Sequence, residues 1–307
     1  MDSLRGGVDA AAASDNPLST LLTPPYLLLL PLAILLLGMF VGPMLAIVVF
    51  SVQPGNAISL NPQMWTLEHY TEIIGGMVSG EGVYGDVLVN TAAVSAVTTA
   101  VTLVFSYPAA YALARKIDRY KTVFLLVLII PLFTSVNIRV FGWALFLVQN
   151  GVLDSIVSLF GVASYPTMMY QRWTIILGTT YVYMPFMLFP IYLSLLSVED
   201  ETIAAARDLG ANRWTLFRRI ILPLSKPGVI IGSLFVFILS LGADVEAQIL
   251  GGGSIFTMAS NINYSFGYSQ NWPLGSAQAV GLLIITLVCG IIILRTINLK
   301  EIASRGE

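Results

Sequence analysis

Asp244 and Glu246 are the charged side chains in the run "LFVFILSLGADVEAQILGG", residues 234–252. A carboxylate at mid-bilayer costs about 2.5–3.5 kcal/mol on insertion scales, so such a group must face a helix bundle's interior and serve a purpose there. At two residues apart the pair diverges by about 200° around a regular helix. Both reach one cavity only if the backbone is unwound at that point. With Tyr181, Tyr183, Phe237 and Gln248 beside them, two carboxylates suit a cationic amine through charge pairing and cation–π contact. In the competing reading one acid pairs with Arg139 or a partner chain, or sits at the outer interface.

Other chemistry is poorly represented. The chain holds one histidine, His69, and one cysteine, Cys289, which excludes a Cys/His metal cluster and a disulfide framework. No G-x-x-x-x-G-K-[ST] occurs, and the glycines at 251–253 lack the lysine of a phosphate loop. They read as a re-entrant turn. With no clustered nucleophile and base, the chain is not expected to be an enzyme.

The elements that must carry these residues are membrane helices. Of 307 residues 56% are hydrophobic and 10% charged, and mean hydropathy is +0.82. Apolar runs exceed the roughly 20 residues that cross a bilayer. Six spans are expected, at 26–52, 87–114, 122–148, 173–197, 227–250 and 276–295. The first follows a polar leader and is too long for a cleaved signal, so it reads as a retained anchor. Pro31, Pro43, Pro108, Pro131, Pro185 and Pro190 fall inside spans, as kinks around a pathway or as the ordinary proline content of membrane helices.

Lysine and arginine placement sets the expected orientation. Residues 53–86 carry Glu68, Glu72, Glu81 and Asp86 with no basic residue, and 251–275 carry no charge, so both face outward. Arg115, Lys116, Arg119 and Lys121 follow the second span, while Arg207, Arg213, Arg218, Arg219 and Lys226 follow the fourth. These loops, and both termini, face the cytosol. Arg172 beside Trp173 fits an outer anchor, and Arg139 breaks the pattern.

The longest internal loop holds "AAARDLGANRWTLFRRIILP", residues 204–223. Helix formers precede Gly210, a left-handed cap, and Asn212 caps a second helix that ends near Pro223. Small Ala204, Ala205 and Ala206 admit a close partner, and Trp214, Leu216 and Phe217 offer apolar contacts. A docking element and an interfacial helix meeting lipid headgroups explain these residues equally well.

That stretch resembles the cytoplasmic signature loop of ABC-importer permeases, E-A-A, three residues, G, nine residues, I, one residue, L-P. Ala205, Ala206, Gly210, Ile220, Leu222 and Pro223 match at the family's spacing. Ala204 stands where the family often has glutamate, so the role of that carboxylate is absent or supplied by Glu201. The resemblance runs from the first span to the sixth. "LVNTAAVSAVTTAVTLVFSYPAAYALAR", "PLFTSVNIRVFGW", "TTYVYMPFMLFPIYLSL", "LGADVEAQILGGG" and "NWPLGSAQAV" are similar to spermidine/putrescine-type permeases, particularly the first of their two permease subunits. "GADVEAQILGG" departs from the common "GEFVIPDLLGG", with Ala243 and Gln248 where acids usually stand.

The resemblance implies an all-α integral membrane protein of type I importer architecture. A leader at 1–25 precedes a six-span domain at 26–297 with its coupling loop at 199–226, and a tail follows at 298–307. Glu201, Ala204, Ala205, Ala206, Asp208, Gly210, Ala211 and Trp214 would contact the ATPase. Arg139 would lie near the outer end of its helix, lining the cavity, touching the binding protein or forming a structural salt bridge. The implied partners are a second permease in a heterodimer, two ATP-binding cassette ATPases holding ATP and Mg, a periplasmic solute-binding protein and membrane lipid, without nucleic acid. The location is the bacterial inner membrane. A polyamine is the expected solute, with an amino acid derivative, opine or aminophosphonate as alternatives. A secondary transporter or channel would need its gating within one chain, and no internal repeat is evident. A non-transporting membrane scaffold leaves the loop's spacing unexplained.

Overall fold

The computed structural model describes residues 25–56, 65–79, 83–117, 119–161 and 167–296. The tail at 298–307 and the leader, apart from its last residue, fall outside these. All regular elements among the described residues are helical. Six helices are long and apolar enough to cross a membrane: Leu30–Phe50, Val83–Arg115, Val136–Ser158, Arg172–Leu196, Arg213–Leu241 and Trp272–Ile292.

Among the described residues, 25–49 form one unit that contains nearly all of α1 (Pro25–Phe50), an apolar rod with Pro31 and Pro43 inside it. The second unit starts at Phe50. It comprises α2 (Glu68–Ser79), α3 (Val83–Arg115), α4 (Lys121–Ile129), α5 (Val136–Leu147), α6 (Val152–Ser158), α7 (Arg172–Leu196), α8 (Asp200–Asp208), α9 (Arg213–Leu216), α10 (Leu222–Leu241), α11 (Val245–Gly251), α12 (Met258–Gly267) and α13 (Trp272–Thr296).

Helices α3, α7 and α10 pack together as the centre of this unit. Their seam is built from small and hydroxyl-bearing residues. Thr91, Ser95, Thr98, Thr102, Ser106 and Ala110 recur at helical spacing on α3 and are all buried. The Thr98 and Thr179 hydroxyls meet across the α3–α7 boundary at 2.8 Å. Thr91 and Thr102 return their hydroxyl protons to carbonyls one turn back, at 2.7 and 2.6 Å, which satisfies these two buried hydroxyls within their own helix. Within a bilayer helices gain little from hiding apolar surface, and close backbone approach through small residues does the holding. On α10, Gly228 lies against the Pro190 carbonyl, and a Cβ there would stand 2.5 Å from Ser194 Cβ.

Gly228→Val therefore overpacks the α7–α10 seam, at a cost of about 1–3 kcal/mol or more. Gly142→Ala on α5, where a Cβ meets nothing within 4 Å, serves as the control. Thermal melting in detergent is expected to show a lowered Tm and yield for the first and no loss for the second. Equal melting of the two would show that the seam tolerates a side chain.

Three sequence expectations need correction. The span expected at 122–148 is not one helix. α4 gives way to a 3-10 turn at Ile130–Phe133, then to extended backbone at Thr134 (φ −96°, ψ 138°) before α5 starts. Pro131 lacks the N–H that would continue α4 and its ring crowds the preceding turn, and at this position the chain breaks rather than kinks. The span expected at 227–250 stops at Leu241, and residues 242–244 turn the chain into α11. Finally, the loop's second helix does not end near Pro223. α9 runs through a π turn at Phe217–Ile221 straight into α10, the Leu222 N–H donating to the Phe217 carbonyl. The wider turn accommodates a proline at the start of α10 without breaking the helix.

Candidate functional site

The break between α10 and α11 separates the two acids. Asp244 lies in the turn ahead of α11, half-buried. Gln248 Nε2 donates to its Oδ1 and Oδ2 at 2.9 Å each, and Asn263 Nδ2 donates to Oδ2 at 2.7 Å. Three of its acceptor positions are thus taken by neighbours on α11 and α12. Glu246, in the first turn of α11, is 1% exposed. Its carboxyl group is faced by the Tyr183 hydroxyl on α7 and the Arg139 guanidinium on α5.

This second group is polar, buried and incompletely satisfied. Among the described residues Glu246 Oε1 has no hydrogen-bond partner, and neither have Arg139 Nε and Nη1. Buried polar atoms in native proteins are nearly always paired, so such a cluster marks a place for a ligand, a partner chain or water. Arg139 reaches it because the break at Pro131–Ser135 starts α5 in mid-segment. The residue lies in the first turn of α5, not at the outer end of a continuous helix.

The remaining pathway candidates are spread around this cluster. Tyr181, two residues from Tyr183 and hence on another face of α7, is exposed and packs edge-on against Trp143 at 5.8 Å. Phe237 is half-buried on α10 ahead of the break. Gln248 serves Asp244. Beyond α11, Gly252 and Gly253 have φ of 54° and 76° and turn the chain toward α12.

At the opposite end of α3 the 204–223 segment forms helix, break and helix. α8 closes with a complete left-handed cap: the Ala211 N–H donates to the Ala206 carbonyl at 3.0 Å and the Gly210 N–H to the Arg207 carbonyl at 2.8 Å. Gly210 has φ +84°, a conformation side-chain-bearing residues rarely adopt. Asn212 caps α9 by accepting the Thr215 N–H at 2.8 Å. Glu201, Ala204, Ala205, Asp208 and Gly210 are exposed, while Ala206 and Ala211 are half-buried.

The apolar contacts differ from those expected. Leu216 is buried, and Phe217 turns inward with its edge toward Tyr107 and Tyr111 at 5.9 and 6.3 Å. Trp214 is 66% exposed and stacks on Phe217 at 5.9 Å. Leu209, not among the expected contacts, is 89% exposed in the turn. Its signal was present in the sequence: an apolar side chain directly before a left-handed glycine has no helix face on which to hide.

The contact that holds this loop to the bundle also escaped the sequence reading. Arg115, the last residue of α3, sends Nη1 to Asp200 Oδ1 at 2.6 Å and Nη2 to the Leu195 carbonyl at 2.8 Å. Nη2 also donates to the Val198 carbonyl. One guanidinium thus ties the end of α3, the end of α7 and the start of α8. Asp200, not Glu201, makes this pair. Arg115, Asp200, Ala204 and Arg207 line a cavity of about 220 Å³, so the side chain missing at Ala204 would have entered a basic recess.

Residues 103–300 match the family described as "Binding-protein-dependent transport system inner membrane component". The chain is similar to the spermidine/putrescine transport system permease protein PotB of Haemophilus influenzae, 32% identical over 72% of this chain and 75% of that one. It is 31% identical to PotB of Escherichia coli K12 over 82% of this chain and 89% of the relative. Its fold resembles a chain of a bacterial alginate ABC transporter solved with an alginate pentasaccharide-bound periplasmic protein. The TM-score is 0.70 at 17% identity, over 90% of this chain and 93% of that one.

Proposed function

Since the chain belongs to the family of binding-protein-dependent transport system inner membrane components, the permease subunits of ABC importers, we propose that it carries a polyamine of the spermidine/putrescine type. The observation that carries the solute assignment is Glu246, a fully buried carboxyl group with an unused oxygen, seated where the fifth span breaks. A polyamine ammonium answers that oxygen. Tyr183 and the aromatic surface of Phe237 line its approach, and Arg139 offsets the acid when solute is absent. Asp244 shapes the break through Gln248 and Asn263 instead of binding solute.

In this reading a second permease, two ATPases holding ATP and Mg, and a periplasmic binding protein complete the transporter. The loop at 199–226 seats on an ATPase through Glu201, Ala204, Ala205, Ala206, Asp208, Gly210, Ala211 and Trp214. ATP-driven closure of the ATPases then biases the helix bundle between two discrete arrangements. Residues 53–86, acidic and without lysine or arginine, face the periplasm, and the arginine-rich loop faces the cytosol with both termini. The transporter resides in the inner membrane.

A second reading keeps the importer and changes the solute to an amino acid derivative, an opine or an aminophosphonate. It is favoured by Ala243 and Gln248 standing where related permeases commonly place acids. Uptake by the assembled transporter in proteoliposomes, with its binding protein and each solute in turn, separates the two. Transport of spermidine or putrescine supports the polyamine, and exclusive transport of another solute replaces it.

Glu246→Gln keeps the shape and removes the charge. A hydrogen bond to a charged group contributes about 1.5–3 kcal/mol, so uptake of a cationic solute is expected to fall at least about tenfold. Basal ATP hydrolysis should persist. Asp244→Asn, acting on the break alone, is expected to cost less. Unchanged uptake by Glu246→Gln would remove this residue from the pathway.

A further inference from the structure

At the end of α3 remote from Arg115, a cavity of about 480 Å³ opens between α2, α3, α12 and α13. Its lining combines acid, aromatic and buried amide. Glu72 on α2 has no cationic partner among the described residues, and its Oε1 accepts from the Tyr84 hydroxyl at 3.4 Å. Phe256 and Tyr264 present aromatic surface, their rings edge to face at 6.3 Å.

The deepest polar group is Gln278 on α13, 1% exposed. Its Oε1 accepts from the Ser265 hydroxyl at 3.3 Å, which leaves a second lone pair for another donor. Its Nε2 faces Tyr84 without completing a hydrogen bond. A buried amide held in this state is a binding group awaiting its partner. The surrounding segments strengthen the sign of charge: residues 53–86 contain four acids and no lysine or arginine, and residues 251–275 carry no charge. A face of one sign raises the local concentration of opposite charge.

We infer that this cavity is an ammonium-binding site on the outer face, receiving an alkylammonium group between Glu72, the Gln278 amide oxygen and the Phe256 and Tyr264 rings. A carboxylate, a neutral acceptor and aromatic surface together serve an ammonium's three donors and its charge. Phosphate or carboxylate ligands would meet Glu72 as a like charge. The site lies apart from Glu246, so a solute with two or more ammonium groups is captured here before it enters the bundle. That the occupant is the transported solute rests on the polyamine reading, whereas the ammonium chemistry does not. An amine-bearing lipid headgroup offers the same chemistry.

The test uses the assembled transporter in phosphatidylglycerol nanodiscs, with saturation-transfer NMR of ethylammonium as probe and uptake kinetics as second readout. Wild type is expected to transfer saturation to ethylammonium, and Glu72→Gln and Gln278→Leu are expected to abolish it. In Glu72→Gln, KM for putrescine is expected to rise about tenfold with kcat within about twofold, as for loss of a binding contact remote from the rate-limiting event. Equal ethylammonium signals in wild type and both variants would overturn the site, whatever solute is transported. Glu72-dependent ethylammonium binding without any polyamine uptake would keep the site and discard the polyamine. Glu72-dependent binding that disappears when phosphatidylethanolamine replaces phosphatidylglycerol supports the same site with a lipid headgroup as its occupant.

Discussion

Gly210→Pro is expected to abolish uptake while the chain still inserts and folds. Gly210 has φ +84°, and proline is confined near −65°, so the substitution reverses the turn between α8 and α9. It also deletes the N–H that donates to the Arg207 carbonyl. The damage is local, because a Cβ at this position meets nothing within 4 Å and no core contact is disturbed. What changes is the direction in which Ala204, Ala205 and Trp214 are presented, and so, on the proposed seating of this loop, their approach to an ATPase. A graded series separates turn geometry from bulk. Asn tolerates the left-handed region and should retain most uptake, whereas Ala costs about 1–2 kcal/mol in that conformation and should retain part of it. Uptake and ATP hydrolysis in proteoliposomes are the measurements, with membrane-inserted protein as the control. Wild-type uptake by Gly210→Pro would remove this turn from the coupling mechanism.

Arg115→Ala is expected to uncouple transport, lowering uptake more than tenfold while ATP hydrolysis continues, an estimate scaled from the loss of three hydrogen bonds made by one charged group. Those bonds go to Asp200 Oδ1, the Leu195 carbonyl and the Val198 carbonyl, and so bind α8 to two helices of the central bundle. A loop that pivots on the ATPase moves the bundle only if it is fastened to it. The Arg115 side chain is 13% exposed and that of Asp200 88%, which assigns unequal weights to the two ends. Asp200→Asn should therefore be mild, since an exposed ion pair contributes little and the carbonyl contacts survive. Arg115→Lys should fall between, because an ammonium lacks the planar fork that spans three acceptors. Full uptake by Arg115→Ala would show that α8 communicates with the bundle by packing alone.

Several features were legible in the linear sequence. Apolar length located six spans because a bilayer demands a minimum run of apolar residues wherever it is crossed. The left-handed turn at Gly210 and the cap at Asn212 were also readable, as both depend on residues within five positions of one another. The breaks were less accessible. Pro131 interrupts its span whereas Pro108, Pro185 and Pro190 lie within continuous helices, and residue type does not distinguish them. Neighbouring helices supply or withhold the partners that a proline leaves unmatched.

The roles of the charged residues belonged to the tertiary structure. Asp244 and Glu246 carry the same functional group two positions apart, yet one is held by Gln248 and Asn263 and the other is buried before Tyr183 and Arg139. Glu201 and Asp200 are adjacent, and only Asp200 meets Arg115. The Glu72, Tyr84 and Gln278 cavity joins three helices that no local pattern connects. Hydropathy acts over a continuous run of roughly 20 residues and capping over one or two turns, so sequence by itself determined where this protein crosses the membrane and where its loop turns. Which polar group faces which is decided by contacts between separate helices, in the case of Arg115 and Asp200 85 positions apart, and those exist only once the helices have packed.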